Sequence, residues 1–129
     1  MIVLDASATV ELLLMTPRGA LVKQKLHPDV ILHAPHLIDV EVAHVLRRMV
    51  RLGEMSSTRA TMALQDFHDL DIARYPHEPL LRRIWTLKDN ISAYDAAYVA
   101  LAEALGACLI TCDARLGSAP GHAAKLVLV

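Results

Sequence analysis

Short apolar runs alternate with longer segments of helical period along almost the whole of this chain, and that alternation is what most limits its fold. A run of three or four aliphatic residues is too short to be a helix, and strands separated by helices pair in parallel with helices over both faces. The runs are Ile2-Val3-Leu4, Val30-Ile31-Leu32, Asp71-Ile72-Ala73, Leu109-Ile110-Thr111 and Lys125-Leu126-Val127-Leu128. Helical period is read at about 7 to 14, 18 to 27, 37 to 52, from Ser56-Ser57 to about 70, 78 to 87, and from Ser92 to Gly106. Thr16-Pro17-Arg18-Gly19, Pro28, Gly53 and Pro76 punctuate the pattern. The expected fold is therefore α/β: one domain over residues 1–129, a three-layer α/β/α sandwich with a central, mainly parallel five-stranded sheet.

Composition narrows the classes. The chain is 54% hydrophobic but only 4% aromatic, so aliphatic residues must fill the core, and the surplus predicts an apolar surface such as a dimer interface. No stretch reaches the roughly 18 uncharged apolar residues of a membrane span. The start, Met1-Ile2-Val3-Leu4-Asp5, has no basic segment of the kind that opens a signal peptide, so a cytoplasmic location is expected. A formal net charge of −1 argues against coating nucleic acid by electrostatics alone, so any such contact must be local or use a bound cation. Scarce aromatics argue against a base-stacking platform. Cys108 and Cys112 lie in an apolar run without metal-finger spacing and read as small buried thiols. His33 and His36, on either side of a loop with Pro35, are a weak basis for a zinc site.

Four acids stand out by position. Ligands of parallel α/β sheets bind outside the carboxyl ends of the strands. Asp5 follows the first strand at once, and Asp113 ends the run 108–112, so both fall on that rim. Asp95 opens the helix Ser92-Ala93-Tyr94-Asp95-Ala96-Ala97-Tyr98-Val99-Ala100-Leu101-Ala102, which is apolar on nearly every side and must be buried. Glu41 shares a flank of its helix with His44 and Arg48, while Val42, Leu46, Met49 and Val50 form the core stripe.

Each acid has an ordinary structural explanation. Ser92-x-x-Asp95 fits a capping box, Glu41 suits the first turn of a helix, and Asp113 can cap the short helix that follows it. Asp5 resists such an account, because a carboxylate among Ile2, Val3, Leu4 and Ala6 is expected to be partly buried without a nearby basic residue. Together the four would repel one another when ionised, and a divalent cation removes that penalty. Oxygen ligands suit Mg²⁺ or Mn²⁺, and such ions support phosphodiester hydrolysis. The spacing leaves one ion or two open.

These segments resemble a known family. Met1-Ile2-Val3-Leu4-Asp5-Ala6-Ser7-Ala8, Val40-Glu41-Val42-Ala43, the 92–102 helix and Leu109-Ile110-Thr111-Cys112-Asp113-Ala114-Arg115-Leu116 are similar, in this order, to PIN-domain ribonucleases, specifically the VapC-like toxins of bacterial toxin–antitoxin pairs. The resemblance covers essentially the whole chain. It implies that Asp5, Glu41, Asp95 and Asp113 form an acidic catalytic and metal-binding quartet, with Ser7 ordering the site. It also implies Mg²⁺ or Mn²⁺ dependence, RNA as substrate, inhibition by a small cognate antitoxin protein, and homodimers with a possible higher toxin–antitoxin assembly. Ser7 has an equal reading as the N-cap of the first helix. Arg48 and Arg115 are placed as phosphate contacts, with a solvated surface role as the alternative. Asp39, two residues before Glu41, competes with it as the second acid, and the match of Val-Glu-Val-Ala favours Glu41. Some relatives carry a further acid, whereas no acid follows Asp113 here, which bears on the number of ions.

A phosphotransfer receiver needs an adjacent acid pair after the first strand and a lysine after the last, but Ala6-Ser7 follow Asp5 and Lys125 opens the last strand. A phosphatase with an Asp nucleophile needs a second Asp where Ser7 stands. A PIN-fold binding module without activity is the remaining alternative, and the intact quartet weighs against it.

Overall fold

Val3 and Leu4 are adjacent in sequence and both fully buried, which a strand permits only if both of its faces are covered. In the computed structural model, which describes residues 1–129, they belong to β1 (Ile2–Leu4), the centre of a five-stranded sheet. The other strands are β2 (Leu32–Pro35), β3 (Ile72–Tyr75), β4 (Cys108–Thr111) and β5 (Lys125–Leu128), in the order β3-β2-β1-β4-β5. Every neighbouring pair is parallel. Leu4 packs with Ile110, Ala8, Val22 and Cys112 on one face, and Val3 and Leu109 join the larger core on the other.

The connecting helices are α1 (Ala6–Leu13), α2 (Pro17–Lys25), α3 (Ile38–Arg51), α4 (Ser57–Asp69), α5 (Leu81–Thr86), α6 (Ala93–Leu105) and α7 (Ala114–Gly117). Their ends follow local chemistry. Thr16 caps α2 with Pro17 in its first turn, Ser56 caps α4, and Gly106 ends α6 at a left-handed φ of 61°. Helix α6 lies across β1, β2 and β4, and its alanines Ala96, Ala97, Ala100 and Ala102 are buried, which lets it sit close on the sheet. Helices α1 and α2 cover the Leu4 face. Arg18 ties α2 to the far rim by donating to the carbonyls of Cys112 at 2.6 Å and Val129 at 2.9 Å. Arg83 and Glu103 form a two-pronged ion pair at 2.7 and 3.0 Å that also accepts the Ala123 N–H, anchoring the approach to β5.

Two expectations move. The sequence pattern predicts the second strand at Val30-Ile31-Leu32, but it lies at Leu32–Pro35, because a turn through Pro28 takes the Val30 N–H to the His27 carbonyl and leaves Ile31 exposed. The helix read from 78 to 87 opens instead as a 3₁₀ turn over Glu78–Leu80, with Pro79 inside it, before α5 begins.

Gly19 shows how tightly α1 and α2 meet: a Cβ there would stand 2.0 Å from the Glu11 carbonyl oxygen. That oxygen is backbone and cannot rotate away. Gly19→Ala is therefore expected to destabilise the protein by about 2 kcal/mol or more in urea unfolding, and an unchanged midpoint would contradict this packing.

Candidate active site

The strand order reverses at β1: the chain proceeds to β2 on one side and returns to β4 on the other. The carboxyl ends of β1 and β4 thus flank the crevice where open parallel sheets bind ligands. Asp5 leaves β1 there and Asp113 leaves β4.

Asp5 is 5% exposed and accepts three hydrogen bonds. Its Oδ1 accepts from Ser7 Oγ at 2.7 Å and from the Ala8 N–H at 2.9 Å, and its Oδ2 accepts from Thr111 Oγ1 at 2.5 Å. Both hydroxyls are themselves aimed. Thr111 Oγ1 accepts the Asp113 N–H at 2.9 Å, and Ser7 Oγ accepts the Cys112 N–H at 3.0 Å. Two hydroxyls therefore stitch the β1 rim to the β4 rim through one carboxylate. Asp5, not Ser7, is the N-cap of α1, so the capping alternative for Ser7 fails, because the helix starts one residue earlier at Ala6.

Glu41, on α3, and Asp95, on α6, face the same space. Tyr98, 1% exposed, donates its hydroxyl to Glu41 Oε1 at 2.5 Å. Ser92 Oγ accepts the Asp95 N–H, so the serine half of the capping box is present, while the Asp95 carboxylate, which also feels the Ser92 hydroxyl, lines the cavity. Asp5, Glu41, Asp95 and Asp113 all line one cavity of about 620 Å³, together with Ser7, Ser92, Val40, His44, Tyr94, Tyr98 and Arg115. Thr111 and Tyr98 were not singled out from sequence. Tyr98 lies three residues after Asp95 and so on the same helix flank, and Thr111 is a polar residue in a buried strand two before Asp113.

Electrostatics follow from crowding. Burial pushes the Asp5 carboxyl above its ordinary pKa, against the pull of its hydrogen bonds. Burial likewise raises Glu41, with Asp95 and Asp5 adding repulsion and Tyr98 opposing. Asp95 is raised by burial and then by Asp113, with Ser92 and Arg115 opposing. The Tyr98 hydroxyl is raised by burial and by Glu41, so it stays a donor.

The remaining residues sort clearly. Asp39 pairs with Arg74 at 2.8 Å and does not line the cavity, which leaves Glu41 as the acid of that helix facing it. Arg48 lines a neighbouring groove with Val45, Met49 and Leu52, about two turns along the helix from Glu41. Arg115 lines the acid cavity, 91% exposed and 3.5 Å from Asp113, whose Oδ1 caps α7 through the Arg115 N–H. His33 is turned to Tyr75 at 2.7 Å and is not near a zinc-type cluster.

No three acids, histidines or cysteines are drawn together closely enough to grip an ion as they stand. The donor set nevertheless fits Mg²⁺ or Mn²⁺: it is all oxygen, Asp95 is open, and Glu41 keeps Oε2 unbonded. A spread set suits an ion that retains several of its waters.

A doubly wound parallel sheet with acids at its switch point is thus the class the fold and cavity define. A family profile described as PIN domain matches residues 2–121, and the chain belongs to that family, in its VapC-like branch. It is 44% identical over 129 residues to Ribonuclease VapC12 of Mycobacterium tuberculosis, covering 100% of this chain and 99% of that one. Ribonuclease VapC1 of the same organism is 44% identical over 128 residues, covering 98% and 96%. Among solved structures, PAE2754 from Pyrobaculum aerophilum superposes with a TM-score of 0.66 at 26% identity, covering 89% of this chain and 76% of that one.

The raised carboxyls fix the sign of a pH effect in the metal-free protein. Asp5, Glu41 and Asp95 hold protons more tightly when folded, so their contribution to stability is present below the ordinary carboxylate range near pH ~4 and is lost as pH rises through their raised values. Asp95→Asn removes one repelling charge and keeps the Ser92 cap. At pH ~7.5 the metal-free variant should melt on the order of 3 °C above the parent, about 1 kcal/mol, and the gap should close toward pH ~4. A variant that melts lower at pH ~7.5 would contradict the repulsion.

Proposed function

We propose that this protein is a Mg²⁺- or Mn²⁺-dependent endoribonuclease, the toxin of a toxin–antitoxin pair. One observation carries the reading: four carboxylates from four separate segments line a single cavity at the sheet's switch point, with Arg115 as the one permanently charged cation beside them. Its relatives are named ribonucleases, which supplies the substrate class. A cognate antitoxin protein and a homodimer belong to the same reading. Exposed Met15, Leu52 and Trp85 offer apolar surface for such contacts. No helix is long and apolar enough to cross a membrane.

In this reading Asp5, Glu41, Asp95 and Asp113 would hold the metal. A bound divalent ion would supply a water of lowered pKa and positive charge for the phosphate. The chain supplies the rest. Ser7 and Thr111 fix both oxygens of Asp5, so the carboxylate loses no rotational freedom when it takes up its role. Tyr98 holds its proton on the hydroxyl oxygen and pins Oε1 of Glu41, directing the free Oε2 to the cavity. Arg115 is free to leave its long contact with Asp113 for a phosphate oxygen.

Cleavage of a mixed RNA pool by the purified protein, with Mg²⁺, Mn²⁺ or EDTA, tests the proposal. Cutting is expected with either metal, and it should vanish in EDTA and in Asp5→Asn. Equal cutting by Asp5→Asn would overturn the site, and no cutting after removal of any co-purified partner would favour a binding module. Thr111→Val should lower metal affinity or kcat/KM by about 10- to 100-fold while the fold persists, read by Mg²⁺ titration of activity beside circular dichroism.

A further inference from the structure

Most of the chain's few aromatic rings are committed to the interior or lie away from the acids. Phe67 and Tyr98 are 3% and 1% exposed, Tyr75 is bonded to His33, and Trp85 sits on α5 beneath the Lys88 ammonium. Tyr94 differs. It is 67% exposed, makes no hydrogen bond through its hydroxyl within the protein, and lines the acid cavity one residue before Asp95. Val40, 72% exposed, lines the same cavity one residue before Glu41. Two acids thus each carry an exposed apolar neighbour at the cavity mouth.

The charge of the site gives this arrangement a purpose. Four carboxylates against Arg115 make the cavity a poor receptor for a polyanion, and the chain as a whole is at −1. Within the cavity, phosphate attraction rests on the metal and one arginine, and a source of substrate affinity that does not depend on charge would add to it. A ring face supplies it, because every nucleobase can stack on an aromatic side chain. The cavity of about 620 Å³ lies within the roughly 300–1,000 Å³ of small-ligand sites, enough for a nucleotide beside hydrated ions.

Resting on the ribonuclease reading above, we propose that Tyr94 is a substrate-positioning residue: its ring stacks on an unpaired nucleobase next to the scissile phosphate, with Val40 as a further apolar contact. The low aromatic content argues against an extended stacking platform, and this proposal needs only one ring. A single ring suffices when it stands at the site, whatever the aromatic content of the chain. Stacking requires a splayed base, so the substrate is single-stranded RNA or a loop rather than a duplex.

The test compares cleavage of short single-stranded RNAs by the parent, Tyr94→Phe and Tyr94→Ala with Mg²⁺ across a salt series. Tyr94→Ala should raise KM about 10- to 100-fold with a smaller change in kcat, and Tyr94→Phe should stay near the parent. An abasic site beside the scissile phosphate should weaken the parent similarly and add nothing in Tyr94→Ala. The slope of affinity against salt should be unchanged in Tyr94→Ala but shallower by about 0.7 in Arg115→Gln. An unaltered KM in Tyr94→Ala overturns the proposal and leaves the exposed ring to a protein partner. Independent, additive losses from the variant and the abasic site overturn it as well. Absence of cleavage by the parent is a separate failure, of the ribonuclease reading. Quenching of a 2-aminopurine oligonucleotide by the Mg²⁺-loaded protein then decides the stack: quenching lost in Tyr94→Ala supports it, and no quenching by the parent overturns it.

Discussion

Asp5 is a carboxylate where a carboxylate is least tolerated. It is nearly sealed from water, directly after a fully buried pair of aliphatic residues, and burial raises its pKa. An isolated ion in such a place would cost several kcal/mol. Three donors offset this: the hydroxyls of Ser7 and Thr111 and the Ala8 N–H. Those same hydroxyls accept the Cys112 and Asp113 N–H groups, so the satisfaction of one charge and the joining of two chain segments are a single interaction. The rim of the sheet and the geometry of the cavity depend on it together.

Around this fixed carboxylate the other acids are graded by freedom. Glu41 is half restrained, with one oxygen taken by Tyr98 and one free. Asp95 is anchored at the helix start by Ser92, which accepts its backbone N–H and also steadies its carboxylate. Asp113 divides its carboxylate between capping α7 and a long contact with Arg115. A cavity that combines one rigid carboxylate with three more adjustable ones can accept ions without a prebuilt cage. This matches the finding that no three ligands are clustered in the protein itself. The raised carboxyl pKa values are the electrostatic record of the same arrangement, since burial first, and then the neighbouring like charges, make ionisation costly.

Much of this was legible along the chain. Paired aliphatic residues at 3–4 and 109–110 signal strands buried on both faces, and the alanines of 96–102 signal a helix lying against a sheet. Position after a strand placed Asp5 and Asp113 on one rim, because parallel strands all end on the same side. Legibility ended where turns and hydroxyls decide. The Val30-Ile31-Leu32 run looked like a strand by composition, but the Pro28 turn had already taken a backbone donor from it. Asp39 and Glu41 could not be ranked by spacing alone, since the ranking rests on Arg74, which lies on β3 and draws Asp39 away.

The sequence by itself determined the fold class, the parallel sheet and the placement of Asp5 and Asp113 on one rim, because periodicity and strand ends are local properties of the chain. Only the tertiary structure decided which side chains serve those acids. Thr111 reaches Asp5 across 106 positions, Tyr98 reaches Glu41 across 57, and Arg48 falls one turn outside the cavity that Arg115 enters. Such contacts depend on the order β3-β2-β1-β4-β5 and on how α3 and α6 lean over it. Hydrogen bonds act over about 3 Å, and distances of that size between remote segments are set by packing, which no local pattern encodes.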